Sequence, residues 1–163
     1  MNNSEKFIRS TDKNDIEKAM SIVATFGGTK ENLIKIKEYI ANEFCELGEN
    51  RNLYFLEKDN EIVGMVQLIL KNADGDSDLA NGKDIVHVHA LQVSKHHHRK
   101  GYGFKLMQLL EKEAKSQGFL KLTLGVDGDN EKALNLYSKL GYAILKESEG
   151  RTSGEKLFIC KNI

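Results

Sequence analysis

The sequence contains no proline among its 163 residues, so its turns must be made by other residues. The 14 glycines, together with asparagine and aspartate, are the residue types that supply tight turns in its place. Cysteine is nearly absent, since only Cys45 and Cys160 occur, and they match no zinc-ligand spacing. Two isolated cysteines favour a reduced, cytoplasmic protein in which both thiols serve as apolar filler.

Long apolar runs and net charge are missing as well. No stretch approaches the roughly 18 apolar residues that cross a bilayer, and the first ten residues hold no apolar signal core. The 24 basic residues balance the 24 acidic ones, which gives no general attraction to nucleic acid or anionic lipid. We therefore expect a cytoplasmic globular protein without a nucleic-acid or membrane partner, in which any anion site is local.

Hydrophobic periodicity predicts an alternation of strands and helices. A strand at 6–9 precedes two helices, three strands, a helix, a strand, a helix and two final strands. No repeat, linker or low-complexity tract divides residues 1–163, so one domain is expected. The element order predicts the α/β (α+β) class, with a mixed sheet and helices on both faces.

Three local features of this pattern carry definite expectations. The second helix should end at Gly48. The polar segment 71–83 should be an exposed loop; its aspartates resemble the start of a calcium loop, but Leu79 stands where that loop needs glycine. The segment "DIVHVHALQV" should be a strand with strict alternation. Its two predicted faces are Val86, Val88 and Ala90 on one side and His87, His89, Leu91 and Val93 on the other.

The stretch "KHHHRKGYGFKL", residues 95–106, admits three interpretations. Three consecutive histidines make a poor metal site, because alternate side chains of an extended chain point in opposite directions, and no metal is expected. A nucleic-acid patch is disfavoured by its shortness and by the neutral chain. The third interpretation is an anion cradle, since a strand ends before the stretch and a helix begins near Gly101.

The cradle is predicted from its glycines and charges. Gly101 and Gly103 remove side chains at a helix start, where free N–H groups and the helix dipole favour a phosphate. Arg99 and Lys100 add positive charge. The dinucleotide fingerprint fails because Leu106 replaces its third glycine, and no Gly-Lys-Ser/Thr sequence marks a nucleoside-triphosphate loop.

A second motif narrows the choice of anion. "NEKALNLYSKLGY", residues 130–142, follows one strand later and has the form Asn-x-x-Ala-x-x-Leu-Tyr-x-x-x-Gly-Phe/Tyr. With "HRKGYG" in the place of Gln/Arg-x-x-Gly-x-Gly/Ala, the chain resembles the GNAT family of acyl-CoA-dependent N-acyltransferases over essentially its whole length. His98 departs from this pattern, because the family usually carries Gln or Arg there.

The resemblance implies a GNAT fold, a mostly antiparallel sheet of six to seven strands, and acetyl-CoA as co-substrate. The coenzyme diphosphate would sit on the cradle and its pantetheine arm would pair with the preceding strand like an added strand. Asn130 would bond the arm, although it is equally suited to be a plain helix cap, a role Asp129 could also fill. The implied coenzyme-binding residues are Leu91, Val93, His98, Arg99, Lys100, Gly101, Tyr102, Gly103, Phe104 and Asn130.

The resemblance also implies direct attack of a primary amine on the thioester. Tyr137, which matches the family tyrosine, would be the general acid, unless it only fills its helix face. His89 stands near the position where family members often carry a basic Glu, and His87 or a water chain are the alternatives for the base. The acceptor, a small-molecule or a protein or peptide amine, is not encoded in any recognisable signature. A non-catalytic acyl-CoA-binding module and a homodimer formed through strand edges both remain open.

Overall fold

The computed structural model of the protein describes residues 4–148 and 156–163. The strands are β1 (Glu5–Arg9), β2 (Arg51–Lys58), β3 (Glu61–Ile69), β4 (Lys71–Ala73), β5 (Asp76–Asn81), β6 (Ile85–Val93), β7 (Lys121–Asp127), β8 (Ala143–Ser148) and β9 (Lys156–Asn162). The α-helices are α1 (Ile16–Val23), α2 (Lys30–Phe44), α3 (Tyr102–Ser116) and α4 (Glu131–Lys139).

The main sheet has seven strands in the order β1-β2-β3-β6-β7-β9-β8. β6 and β7 run parallel, whereas β1–β2, β7–β9 and β8–β9 are antiparallel. A parallel pair needs a crossover connection, which here is α3, so the β6–α3 connection follows the carboxyl end of a strand. The predicted class, a mixed and mostly antiparallel sheet of six to seven strands combined with helices, is confirmed.

The chain is divided into two compact units. The first comprises Met1–Leu68 and Ala90–Leu109, and the second comprises Ile69–His89 and Leu110–Ile163. β6 and α3 therefore each contribute residues to both units. The expectation of one domain over residues 1–163 stays a prediction.

In the first unit, apolar faces of α1 and α2 form a core with β2 and β3. Their buried residues are Ala19, Ile22, Val23, Ile40, Phe44, Leu53, Phe55 and Met65. Thr29 caps α2 by accepting a hydrogen bond from the Asn32 N–H at 3.1 Å. α2 ends at Phe44 and not at Gly48. A turn follows the helix instead, in which the Glu46 carbonyl accepts from the N–H groups of Glu49, Asn50 and Arg51.

The prediction of an exposed loop at 71–83 is wrong. β4 and β5 form an antiparallel hairpin there, and Ala73, Leu79 and Ala80 are buried beside Phe158. The turn residues Asp74 and Gly75 have φ angles of 52° and 73°. Two consecutive positive φ angles at Asp-Gly are typical of a type I′ hairpin turn, a signal the polar composition concealed.

The predicted alternation along β6 is wrong from Ala90 onward. Ala90 has a φ of 52°, in the left-handed region that a non-glycine residue adopts only at a cost of about 1–2 kcal/mol. Such a residue interrupts the pleat in the manner of a β-bulge and re-aims the strand after it. The shared face expected for Val86, Val88 and Ala90 therefore does not extend through the whole strand.

Candidate functional site

The segment that joins β6 to α3, residues 94–104, is called the cradle loop below. It contains a 3-10 turn at Lys95–His97 and then enters the first turn of α3. Arg99 and Gly101 have φ angles of 61° and 80°, while Lys100 between them has no positive φ. Left-handed residues help to turn successive N–H groups to one side in the backbone nests that bind anions, and Arg99 and Gly101 supply two such residues.

The N–H groups of the cradle loop are available for a ligand. Within the described part of the chain, those of residues 99–104 make no hydrogen bond, and the first closing bond runs from the Lys105 N–H to the Gly101 carbonyl at 3.1 Å. Free N–H groups at a helix start carry partial positive charge. The side chains of Arg99 and Lys100 are exposed beside them. The loop is therefore an electropositive concavity made largely of backbone.

Glycine is required at position 101 for its conformation and not for space. A Cβ at Gly101 would meet no atom within 4 Å, but its φ of 80° is one that L side chains rarely adopt. Gly103 and Phe104 are half-buried in the first turn of α3, and Tyr102 is buried. The conformation of the loop thus depends on a single glycine more than on its side chains.

His98 ties the cradle loop back to the strand that precedes it. Its Nε2 lies 2.9 Å from the Val93 carbonyl oxygen, and because a carbonyl only accepts, Nε2 carries the proton. The ring also contacts Phe26, with centroids 5.5 Å apart and planes tilted by 52°. At this position, where the resembled family usually has Gln or Arg, the histidine bonds to the end of β6.

The other two histidines of the tract point to different surroundings. His97 packs edge-on against Tyr102, with ring centroids 5.9 Å apart, and its Nε2 lies 3.7 Å from a Glu61 carboxylate oxygen. His96 is exposed. No group of three His, Cys, Asp or Glu side chains with metal-binding geometry occurs among the residues described. In the same part of the chain, no helix has both the length and the apolar character to cross a membrane.

The end of β6 is held close to α3 by a glycine in β3. A Cβ at Gly64 would lie 2.6 Å from Leu106 Cδ1 and 3.2 Å from the Gln92 carbonyl oxygen. The first distance is shorter than real atoms allow and the second is tighter than most real contacts, so a side chain at Gly64 would force Leu106 to shift. Leu91 and Val93, which the resemblance assigns to the coenzyme arm, are half-buried just after the Ala90 irregularity.

His87 and His89 belong to the second unit. His87 is 4% exposed, and its Nδ1 lies 2.8 Å from Thr123 Oγ1, which donates its own proton to the Leu79 carbonyl at 2.6 Å. The hydroxyl can therefore only accept from His87, so Nδ1 carries the imidazole proton. Burial lowers the pKa of His87 to about 4, which makes it a weak base at neutral pH. His89 is half-buried.

Asn130 and Tyr137 also lie in the second unit, on α4. The Asn130 side chain caps the helix by accepting from the Ala133 N–H at 3.1 Å, which confirms the predicted cap. Tyr137 is 8% exposed, and burial raises its pKa to about 12, so it is protonated at neutral pH. Its hydroxyl makes no hydrogen bond to any described residue.

Two partners of Tyr142, Glu111 and Lys161, were not found from the sequence. Tyr142 packs edge-to-face on Tyr137, with centroids 5.7 Å apart, and its hydroxyl donates to Glu111 Oε1 at 3.1 Å. Lys161 Nζ lies 2.8 Å from Glu111 Oε2. These four side chains are called the tyrosine cluster. Only the Tyr at the last motif position hinted at it, because Glu111 and Lys161 come from distant parts of the chain.

The aspartates of the hairpin β4–β5 form ion pairs with lysines of β8 and β9. Lys146 pairs with Asp76 and with Asp78, and Lys156 Nζ lies 3.8 Å from Asp74. Pairing with Lys146 lowers the pKa of Asp76. These aspartates, which could have attracted a cationic amine, are therefore largely neutralised by lysines of β8 and β9.

Comparison with known proteins gives a consistent answer. The family described as "Acetyltransferase (GNAT) family" matches residues 21–142. An uncharacterized N-acetyltransferase in the pepI 3' region of Lactobacillus delbrueckii subsp. lactis is 29% identical over 129 residues, which cover 76% of this chain and 73% of that protein.

Two solved structures share the fold. The ribosomal-protein-S18-alanine N-acetyltransferase from Escherichia coli is similar with a TM-score of 0.75 at 17% identity, covering 98% of this chain and 94% of that one. The PaiA N-acetyltransferase from Thermoplasma acidophilum, solved in complex with coenzyme A, has a TM-score of 0.69 at 18% identity, covering 98% and 99%.

Proposed function

Because the chain belongs to the GNAT acetyltransferase family, we propose that it transfers an acetyl group from acetyl-CoA to a primary amine by direct attack. The observation that carries the proposal is the backbone nest at residues 99–101, which opens onto the unpaired N–H groups at the start of α3. A nest at a helix start suits a diphosphate in particular, because several N–H groups converge on one anion.

The proposed coenzyme contacts follow from this placement. The N–H groups from Arg99 to Phe104 hold the diphosphate, and the side chains of Arg99 and Lys100 add charge. The arm pairs with the backbone of Leu91 and Val93, where the left-handed Ala90 disturbs the regular strand. The Val93 carbonyl accepts a hydrogen bond from His98. The N–H of Val93 is the group proposed to stabilise the thioester oxygen during attack. The amide nitrogen of Asn130 is proposed as a further arm contact.

Tyr137 is proposed as the general acid. The amine nitrogen bonds to the thioester carbon, the carbon–sulfur bond breaks, and the Tyr137 hydroxyl shares its proton with the departing sulfur. A hydroxyl with a pKa of about 12 keeps that proton at neutral pH. An ordinary thiol has a pKa of about 8.5, so complete transfer is uphill and most of the benefit comes from the hydrogen bond in the transition state.

His89 is proposed as the base that accepts a proton from the attacking amine, directly or through water. An alkyl amine with a pKa near 10.4 is mostly protonated at neutral pH, so a base is needed. The neighbouring His87 is less suited to this role, because burial lowers its pKa to about 4 and Thr123 occupies its Nδ1. This contrast supports His89 over His87.

The acceptor class is a primary amine of a small molecule or of a protein or peptide. We place the protein in the cytoplasm, since Cys45 and Cys160 are both free. A homodimer is proposed through β1 or β8, the edge strands of the main sheet.

The proposal is tested by mixing protein, acetyl-CoA and a broad panel of small amines and peptides, and following thiol release. Turnover of at least one amine is expected, and it should be lost when Tyr137→Phe replaces the wild type. Tight acetyl-CoA binding by calorimetry without turnover of any amine would favour the alternative, a non-catalytic acyl-CoA-binding module. Absence of both binding and turnover would contradict the function altogether.

A further inference from the structure

Tyr142 is anchored at both of its ends. Its N–H donates to the Tyr137 carbonyl at 3.0 Å, and its hydroxyl donates to Glu111 Oε1 at 3.1 Å. A carboxylate only accepts, so the Tyr142 hydroxyl uses its single O–H to donate this hydrogen bond to Glu111. The backbone hydrogen bond fixes the position of the Tyr142 main chain, and the hydroxyl hydrogen bond fixes the orientation of its ring.

Glu111 is held in turn by Lys161. The Lys161 Nζ lies 2.8 Å from Oε2, while Tyr142 occupies Oε1, so each carboxylate oxygen has its own partner. The Glu111 side chain is 14% exposed and that of Lys161 27% exposed, which limits screening by water. The Lys161 ammonium also lies 5.9 Å from the centre of the Tyr142 ring, within range of a cation–π contact.

Lys161 packs beside the turn that ends α4. Gly141, which follows α4, has a φ of 92°, and a Cβ there would lie 3.7 Å from Lys161 Cε. The lysine stem therefore passes beside a glycine that also ends the helix in the left-handed conformation. Tyr142 follows directly, so the chain turn and the ion pair are built at the same place.

Tyr137 has no such anchors on its own side chain. Its hydroxyl makes no hydrogen bond to another residue in the described ranges, and its ring is held by packing. The ring contact with Tyr142 is edge-to-face, with a centroid distance of 5.7 Å and an interplanar angle of 67°. The ring of Tyr142 is therefore the aromatic contact through which Glu111 and Lys161 are linked to Tyr137.

We infer that Lys161, Glu111 and Tyr142 are positioning residues, which fix the Tyr142 ring and through it aim the Tyr137 hydroxyl at the reacting sulfur. The inference rests on the proposed acid role of Tyr137. Preorganisation of this kind raises the rate because the donor does not have to reorient during reaction.

The kinetic test compares Tyr142→Phe in the wild-type chain and in the Tyr137→Phe background. In the wild-type chain, kcat should fall roughly tenfold while the KM for acetyl-CoA stays unchanged. In the Tyr137→Phe background the same change should have no further effect on kcat. Equal losses in both backgrounds would overturn the inference, because the hydroxyl would then act without Tyr137.

Rescue by a conservative change gives a second readout. Lys161→Met should reduce kcat like Tyr142→Phe, and Lys161→Arg should restore it, because arginine keeps the ion pair with Glu111. Tyr54→Phe, which removes the hydroxyl of a buried tyrosine in the first unit, is the matched control and should leave kcat unchanged. Failure of Lys161→Arg to exceed Lys161→Met would count against the positioning role.

A spectroscopic measurement separates this inference from the proposed function. The chain has five tyrosines, so NMR of a ¹³Cζ-tyrosine-labelled sample can be assigned with single Phe variants. Without any substrate, Tyr142→Phe should shift or broaden the Tyr137 signal, and Tyr54→Phe should not. If Tyr137→Phe left kcat intact, the acid role of Tyr137 would be wrong. The Tyr137 signal of the Tyr142→Phe variant would still show whether Tyr142 positions the Tyr137 side chain. An unmoved Tyr137 signal would overturn it.

Discussion

The cradle loop and the tyrosine cluster are built in opposite ways. The loop is a contiguous stretch whose N–H groups are exposed by the φ angles of Arg99 and Gly101. The cluster brings Glu111 of α3, Tyr137 of α4, Tyr142 after α4 and Lys161 of β9 together through side chains. The first depends on backbone conformation and the second on long-range packing.

This difference implies that the two regions contribute to function in different ways. Backbone N–H groups bind a fixed feature of a ligand and tolerate side-chain change, because no side chain makes the contact. Side-chain clusters control the direction and the protonation of one group, and they fail when any member is lost. Variants of the cradle loop should therefore change the affinity for acetyl-CoA, and variants of the tyrosine cluster should change the rate.

The largest effect is expected at Tyr137. Replacing Tyr137 by Phe should lower kcat about a hundredfold or more, because the departing sulfur loses its proton donor. The dissociation constant of acetyl-CoA should change by less than about twofold. Steady-state kinetics and calorimetry on the same preparation measure both. A large loss of acetyl-CoA affinity with kcat preserved would contradict the acid role and would assign Tyr137 to coenzyme binding.

The buried His87 in the second unit should make the free energy of unfolding depend on pH. Its pKa in the folded protein is about 4, against 6.5 in an unfolded chain. Between these values only the unfolded chain binds the proton, so the free energy of unfolding should fall as the pH falls from 6.5 to 4, by about 3 kcal/mol. Burial is the largest cause of the shift, so His87→Asn should lack this contribution while keeping a donor for Thr123.

Urea unfolding of the wild type, His87→Asn and His89→Asn across this pH window checks the prediction. The difference between wild type and His87→Asn should change with pH, and carboxylate titrations should cancel in that difference. A constant difference at all pH values would show that His87 titrates normally and that the second unit does not protect it.

Two glycines with similar backbone angles separate conformation from binding. Gly101 and Gly118 have φ angles of 80° and 92°, and a Cβ at either would meet no atom within 4 Å. Replacement of each by Ala should cost about 1–2 kcal/mol of stability. Only Gly101→Ala should also weaken acetyl-CoA binding, by roughly tenfold, because the nest relaxes. Equal acetyl-CoA affinities for the two variants would contradict a role of the nest in binding the coenzyme.

The smallest effect is expected at the acidic hairpin. Asp76→Asn breaks a half-exposed pair with Lys146 and should cost less than about 1 kcal/mol of stability. The KM for a cationic amine should not change, since the hairpin aspartates already have lysine partners. A several-fold rise in that KM at low salt would assign the hairpin to acceptor binding after all.

The sequence predicted the cradle loop because its signals are local. Glycine at 101, the strand before it and the helix after it lie within a few residues, and Asn130 as a cap is equally local. The left-handed Ala90 could not be predicted, since alanine does not favour that conformation. The β4–β5 hairpin was predictable from Asp74-Gly75, but the polar residues around it favoured a loop.

The tyrosine cluster shows the opposite case. Glu111 lies 31 positions from Tyr142 and 50 from Lys161, so no periodicity or motif connects them. A charged residue on the helix α3 and another on β9 resemble ordinary surface positions when read alone. Only the three-dimensional arrangement gives them a common partner, which is why Tyr142 was found as a motif residue and its supporting pair was not.

Amide hydrogen exchange of the cradle loop, measured with and without acetyl-CoA, tests the central claim most directly. If the backbone N–H groups of residues 99–104 hold the diphosphate, their exchange should slow markedly on binding, while that of the β4–β5 turn stays the same. Saturating acetyl-CoA with no slowing at residues 99–104 would contradict the account.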